Sequence, residues 1–184
     1  WSSDVCSSDL TGGGVRTPLT TQQQKDFAEY LKSLLPVDNQ LISIHNGPST
    51  DDSIYNGLLG DPSYNSISYQ GNYQTSSYGH GRILNWINAS STAGKKWVVR
   101  YTEPYSSGSS PSVSSWRQNS LWASLIAGAA GVQYYDGGGS DLSVQDYSVN
   151  DSFWSAMKVA NEFFINNDIP FQDMASADGD ISSG

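Results

Sequence analysis

A strand-then-helix pattern occurs four times in succession along this chain. Short β-branched, apolar runs begin near residues 41, 65, 97 and 132, so consecutive strands start 24, 32 and 35 residues apart. Each run is followed by a stretch with helical periodicity. This spacing is that of a βα unit, in which a helix crosses over to the next parallel strand. The pattern predicts an α/β protein with a parallel sheet.

The predicted strands are 41–45, 65–70, 97–101 and 132–135, and the predicted helices are 21–35, 52–59, 79–89, 115–127 and 151–166. The first helix carries the clearest signals, because Thr20 and Gln23 have capping-box spacing and Pro36 marks the end. Its large apolar side chains are predicted to share one face: Phe27, Tyr30, Leu31, Leu34 and Leu35. The first strand, LISIH, is predicted to be buried on both faces.

Two parallel architectures fit this spacing. Four βα units are half of the eight that a (β/α)8 TIM barrel requires, and a doubly wound sheet fits equally well. No glycine-rich phosphate motif follows the first strand, which weakens the case for a dinucleotide-binding sheet. From the residues alone, the choice between a half barrel and a doubly wound sheet stays open.

Charge and composition restrict the partners. The chain has 9 Lys+Arg against 18 Asp+Glu, which argues against a phosphate-binding surface and so against a nucleic-acid partner. No apolar run reaches the roughly 20 residues of a membrane span. The two histidines, His45 and His80, are far apart, so neither a metal nor another cofactor is predicted. Abundant Tyr, Trp, Asn and Ser suit sugar binding, and equally an ordinary extracellular surface.

The first ten residues, WSSDVCSSDL, read as the translation of a sequencing adapter. We therefore expect residues 1–10, including the chain's only cysteine, to be an artefact outside the natural protein. Residues 11–175 are predicted to form the half barrel. Residues 176–184 are predicted to be a linker or the start of a C-terminal β domain. On this interpretation the natural N-terminus lies upstream, so a signal peptide cannot be assessed.

Polar and aromatic residues follow each predicted strand at its carboxyl end, where ligands bind in parallel α/β folds. Glu103 directly follows a buried strand and is the predicted catalytic carboxylate, although an ion pair with Arg100 would also explain it. The predicted substrate-binding residues are His45, Asn46, Gln70, Tyr73, Tyr105, Tyr135 and Asp136. Alternatively, His45 is a core histidine and Asp136, which precedes three glycines, is a turn former.

Glu103 is a carboxylate at a predicted strand end, and glycoside hydrolysis is a reaction that uses carboxyl groups. That reaction needs two carboxyl groups, one to protonate the leaving oxygen and one to attack the anomeric carbon or activate water. Only Glu103 is a good candidate here, with Asp136 a weaker second.

Several stretches resemble, in the same order, the C-terminal barrel half of the apiosidase-like glycosidases, a bacterial group with a predicted C-terminal collagen-binding domain. These stretches are LISIHN at 41–46, LLGDPS at 58–63, KKWVVRYTEPY at 95–105, RQNSLWASLIAGAAGVQYY at 117–135 and NEFFINNDIPFQDMASAD at 161–178. The resemblance implies that the four strands are the fifth to eighth of a barrel. It also implies an extracellular or periplasmic protein.

In that resemblance the seventh strand ends in the nucleophile of a retaining glycosidase, which corresponds to Glu103. The acid/base carboxylate would end the fourth strand, just before the helix near Thr21, so we expect the chain alone to be inactive. Thr102 stands where many relatives carry an acidic residue, and Tyr135–Gly137 also departs from the pattern, which leaves linkage specificity open. The alternative function is a non-catalytic carbohydrate-binding or adhesion protein on the same scaffold. The sequence does not indicate an oligomeric state.

Overall fold

A computed structural model of the chain describes residues 3–6, 19–35, 41–46, 51–70, 75–102, 111–134 and 147–178. The described strands are β1 (Ser3–Cys6), β2 (Ile42–Asn46), β3 (Ser66–Gln70), β4 (Val98–Thr102) and β5 (Gly131–Val132). The described α-helices are α1 (Thr21–Leu34), α2 (Asp51–Leu58), α3 (Ser76–Thr92), α4 (Val113–Trp116), α5 (Ala123–Ile126) and α6 (Asp151–Asn166). A π-helical segment, Arg117–Trp122, joins α4 to α5, and short 3-10 turns occupy Tyr147–Asn150 and Phe171–Asp173.

The five strands form one parallel sheet in the order β1-β2-β3-β4-β5. Ile44 pairs with Ile67, and Ile67 pairs with Val99, so the strands lie in register across the sheet. The predicted α/β class is confirmed. A doubly wound sheet reverses its strand order at a switch point, whereas the described strands step in one direction only. Because parallel crossovers are right-handed, steps in one direction place the connecting helices on the same face.

The strands differ slightly from their predicted bounds. β2, β3 and β4 each begin one residue later than expected. β5 covers only Gly131–Val132, although Gln133 still donates its N–H to the Tyr101 carbonyl at 2.9 Å. Tyr134 leaves the sheet because its ring packs against Phe153 at 4.1 Å between ring centroids. Packing of this aromatic ring therefore ends the strand earlier than its β-rich sequence indicates.

β1 lies within residues 1–10, which were predicted to be an artefact outside the natural protein. The structure pairs its backbone in parallel with β2, with Ser3 opposite Ile42 and Cys6 opposite His45. Such pairing uses main-chain N–H and C=O groups, which every sequence provides, and an open sheet edge accepts any extended segment. The pairing of β1 therefore does not test whether these residues derive from an adapter, and that origin stays a prediction.

One face of the sheet forms the main hydrophobic core with the helices. Alternate strand residues point to this face, as the period of two in a strand requires. The core residues of the strands are Ile42, Ile44, Ile67, Tyr69, Val99 and Tyr101, and those of α1, α2 and α3 are Ala28, Tyr55, Leu58, Ile83 and Trp86. The Tyr55 hydroxyl donates to the Ser68 carbonyl at 2.8 Å, which satisfies the one polar group of that buried ring.

A second apolar cluster lies beyond β5. Trp116 is fully buried there, with its ring edge-on to Tyr134 and to Phe153, at 5.7 Å between centroids in both cases. Helix α6 matches its predicted bounds and contributes Phe153 and Ala160 to this cluster. The predicted helix at 115–127 is instead three pieces, α4, the π-helical segment and α5. No local pattern in the sequence indicated the π-helical turn.

Helix α1 confirms its predicted cap. Gln23 N–H donates to the Thr20 hydroxyl at 3.2 Å, and Thr20 N–H donates to the Gln23 side chain at 2.9 Å, which completes a capping box. The large apolar side chains of α1 are less buried than their shared face suggested. Phe27, Tyr30 and Leu34 are exposed, whereas Gln24 and Ala28 are buried.

The chain returns from α3 to β4 through a tight turn. Gly94 has φ of 90°, a left-handed conformation that glycine adopts without strain, and its N–H donates to the Ser91 carbonyl at 3.0 Å. Ser90, fully buried near the end of α3, donates its hydroxyl to the Trp86 carbonyl at 2.7 Å and accepts the Trp97 N–H at 3.0 Å. A single serine thereby fixes the start of β4 to the helix before it.

Candidate functional site

The carboxyl ends of β2, β3 and β4 meet at one edge of the sheet. Asn46 pairs with Tyr69, and Gln70 pairs with Thr102, so the last residues of these strands are close neighbours. Adjacent strands lie about 4.8 Å apart. The backbones of three predicted site residues therefore lie close together at this edge, namely those of His45, Asn46 and Gln70.

The other predicted site residues, Glu103, Tyr73, Tyr105, Tyr135 and Asp136, lie outside the described residues, as does the side chain of Asn46. Glu103 is the residue that follows Thr102 in the chain, and Thr102 ends β4 at this edge. The role assigned to Glu103 stays a prediction.

The sheet face opposite the core is polar. Its residues alternate with the core residues along β2, β3 and β4, and they include Ser43, His45, Ser66, Ser68, Gln70, Arg100 and Thr102. Ser43 and Ser66 are fully buried, and the hydroxyls of Ser43 and Ser68 lie 3.4 Å apart. LISIH is therefore buried on both faces, as predicted, but one face of this strand is apolar and the other polar.

A row of three side chains with different hydrogen-bonding groups crosses this polar face. His45 pairs with Ser68, and Ser68 pairs with Arg100, so an imidazole, a hydroxyl and a guanidinium stand side by side. His45 and Arg100 are both half-buried. From the sequence, Arg100 was expected only as an ion-pair partner of Glu103, and Ser68 was not predicted as a site residue. The period of two in β4 would have placed Arg100 on the same face as Thr102.

Thr102 holds the ends of β3 and β4 together. Its hydroxyl donates to the Tyr69 carbonyl at 3.3 Å, and the residue is only 8% exposed. A hydroxyl engaged in this way ties the carboxyl end of β4 to that of β3.

Aromatic packing supports this edge from the core side. Tyr69 and Tyr101 stack at 5.4 Å between centroids with an angle of 12° between their planes. The Tyr69 hydroxyl donates to the Tyr78 hydroxyl at 2.9 Å, and burial is the main cause that raises the pKa of Tyr69. The Arg82 guanidinium lies over the Tyr69 ring at 5.3 Å and forms an ion pair with Asp52. These contacts give the strand ends a rigid base.

His80 lies away from this edge. Its ring contacts the Ala123 carbonyl and the Asp178 carboxylate, on the outer side of α3. Within the ranges that the structure describes, no group of three or more His, Cys, Asp or Glu side chains is placed to hold a metal ion. In the same ranges, none of the helices is long and apolar enough to cross a membrane.

Described residues away from this edge line two further cavities. One, of about 660 Å³, borders the start of β4 at Lys96, Trp97 and Val98 and is also lined by α3 and by residues 171–178. The other, of about 470 Å³, lies between the start of α3 and the π-helical segment. The larger cavity is thus at the amino end of β4, whereas ligands of parallel α/β folds bind at the carboxyl ends. We therefore place the candidate site at the carboxyl edge.

No protein-family model matches this chain, and neither a curated protein nor a solved structure is significantly similar to it. The resemblance to apiosidase-like glycosidases stays a prediction.

Proposed function

We propose that this chain is the C-terminal half of a (β/α)8 barrel from a retaining glycoside hydrolase that acts on a plant or microbial polysaccharide. The strand order supports the architecture, because parallel strands that step in one direction are the winding of a barrel. The four predicted βα units would then form half of the eight units of the barrel. In this proposal the polar sheet face is the inner, concave face of the barrel.

The observation that carries the proposal is the polar character of that face. Barrel interiors are packed mainly with branched aliphatic side chains. Here the row next to the carboxyl edge contains His45, Ser68 and Arg100, and Gln70 and Thr102 follow at the edge itself. Imidazole, amide and guanidinium groups can hydrogen-bond sugar hydroxyls. Polar groups in an inner layer therefore favour a bound polar ligand.

In the proposed reaction the Glu103 carboxylate attacks the anomeric carbon while a second carboxyl group protonates the leaving oxygen. Water then releases the sugar from Glu103, with the second group now acting as base. The two carboxyl groups of a retaining enzyme lie about 5 Å apart. By the family resemblance the second carboxylate ends the fourth strand of the barrel, and hydrolysis requires a polypeptide that carries it. We expect the 184-residue chain itself to bind sugars without turnover.

A non-catalytic carbohydrate-binding protein is the second candidate. One observation favours it: none of the polar-face residues of β2, β3 and β4 carries a carboxylate. In that case Glu103 only accepts hydrogen bonds from ligand hydroxyls.

The test measures hydrolysis of a panel of para-nitrophenyl glycosides and binding of plant cell-wall oligosaccharides, using a polypeptide that also carries the second carboxyl group. Glu103→Gln should lower kcat by about a thousandfold or more and leave binding within severalfold. Glu162→Gln, at an exposed position of α6, is the matched control and should change neither.

Binding without hydrolysis in the unmutated protein would support the second candidate. Full activity of Glu103→Gln would remove Glu103 from the mechanism, and the absence of both binding and hydrolysis would contradict both candidates.

A further inference from the structure

The imidazole of His80 lies between two hydrogen-bond acceptors. Its Nδ1 is 2.9 Å from the Ala123 carbonyl oxygen in α5. Its Nε2 is 2.8 and 3.0 Å from the two carboxylate oxygens of Asp178. These two residues lie 98 positions apart in sequence. The contact therefore ties the C-terminal part of the described chain to the outer side of α3.

The protonation state of the ring decides whether both contacts are hydrogen bonds. A neutral imidazole has one N–H, whereas an imidazolium has two. A carbonyl and an ionised carboxylate both only accept. Only the doubly protonated ring can therefore donate to Ala123 and Asp178 at once. Histidine changes charge between about pH 5 and 8, which makes this contact sensitive to pH.

Asp178 is the titratable group that faces the ring. The other residues that line the 470 Å³ cavity beside His80 are Ser76, Ser77, Gln118, Trp122, Ala123 and Ile126, none of which titrates. The hydrogen bond from His80 lowers the pKa of the Asp178 carboxyl below its usual value. The carboxylate thus persists to a lower pH than an ordinary Asp.

Residues 171–178, here called the C-terminal segment, form one wall of the 660 Å³ cavity. Phe171, Met174 and Asp178 are among the residues that line it, opposite Leu84 and Ile87 of α3. The start of the segment is held independently, because Phe171 packs edge-on to Phe164 at 4.8 Å. The other end is held by Asp178. Release of Asp178 would therefore free the far end of the segment and open the cavity on that side.

We propose that His80 and Asp178 form a proton-controlled latch, which holds the C-terminal segment against α3 and closes one wall of the cavity at the start of β4. The latch is closed when the ring is doubly protonated and loosens when the ring loses one of its two protons. This device is separate from the sugar site proposed above and does not depend on it.

Hydrogen exchange of the full chain tests the latch, with rates in the C-terminal segment compared at pH 5.5 and pH 8 after correction for the intrinsic pH dependence of exchange. Because Asp178 is mostly exposed, the effect should be modest, about threefold faster exchange at the higher pH. Asp178→Asn and His80→Gln should exchange fast at both pH values. Asp173→Asn, an exposed carboxylate of the same segment, should keep the pH dependence.

Several outcomes would overturn the latch. One is an unmutated segment that exchanges equally at both pH values. A second is an Asp178→Asn variant that keeps the pH dependence, and this variant is informative even if His80→Gln disturbs packing. A third is an Asp173→Asn variant that loses the pH dependence of exchange. Finally, an equal change in the exchange rates of the α1 amides between the two pH values would show that the whole fold, and not the segment, responds to pH.

Discussion

Ser90→Ala tests how the start of β4 is held. Ser90 accepts the buried N–H of Trp97 at 3.0 Å, and Trp97 is only 2% exposed, so water cannot replace the lost oxygen. An unsatisfied buried N–H costs about 1–3 kcal/mol. Alanine recovers about 0.5 kcal/mol because it favours a helix interior more than serine does. The net expected loss in the free energy of unfolding is about 0.5–2.5 kcal/mol.

Urea unfolding measures this loss as a shift in the midpoint. With a slope of about 2 kcal/mol per molar urea, the midpoint should fall by about 0.25–1.25 M while the slope itself is unchanged. Ser91→Ala is the matched control, since Ser91 is the next residue of α3 and is exposed. It should be neutral or slightly stabilising. If the two variants had equal midpoints, the Ser90–Trp97 hydrogen bond would not be what holds β4 to α3.

Three other stability measurements follow from the packing. Trp116→Ala removes a fully buried ring of the second cluster and should cost about 3–5 kcal/mol by urea unfolding; a cost below about 1 kcal/mol would contradict this packing. Burial, assisted by the charge of Asp61, raises the pKa of Tyr64 to about 12. The unfolded chain therefore ionises Tyr64 at a lower pH than the folded protein does, so the free energy of unfolding falls as pH rises from 10 towards 12. Tyr64→Phe should flatten that fall. An unchanged pH slope in this variant would show that Tyr64 ionises normally. Asp52→Asn should cost no more than about 1 kcal/mol in the same assay, because the carboxylate that pairs with Arg82 is mostly exposed; a larger loss would mean that this ion pair holds α2 to α3.

Local signals in the sequence predicted the elements well. The capping box of Thr20 and Gln23 and the helical periodicity after it place α1 within one residue of its observed end. Strand starts were predicted equally closely, since a switch from period two to helical period is visible in single stretches. Parallel order followed from the spacing of the βα units.

Tertiary packing decided what the sequence could not. In helix α1, Gln24 and Ala28 are buried, whereas Phe27 and Tyr30 remain exposed although they were predicted to lie on the buried face. Tyr134 packs against Phe153 and so leaves β5 early. These outcomes depend on partners that are distant in sequence, which no local pattern contains.

The candidate site was predictable in part. Strand ends identified His45, Asn46 and Gln70, because the carboxyl edge of a parallel sheet is defined once the strands are known. Arg100 was missed as a site residue, although alternation along β4 was sufficient to find it. The partner of His80 could not be foreseen, because Asp178 lies 98 positions away in sequence.

The central claim is that the carboxyl edge of this sheet binds sugar, and NMR of the 184-residue chain tests it most directly. Plant cell-wall oligosaccharides should shift the backbone amide signals of His45, Gln70 and Thr102 in a saturable manner. The amides of Ser66 and Val98, at the amino ends of the same strands, should stay unchanged. Shifts confined to the amino edge, or none with any oligosaccharide tested, would contradict the account.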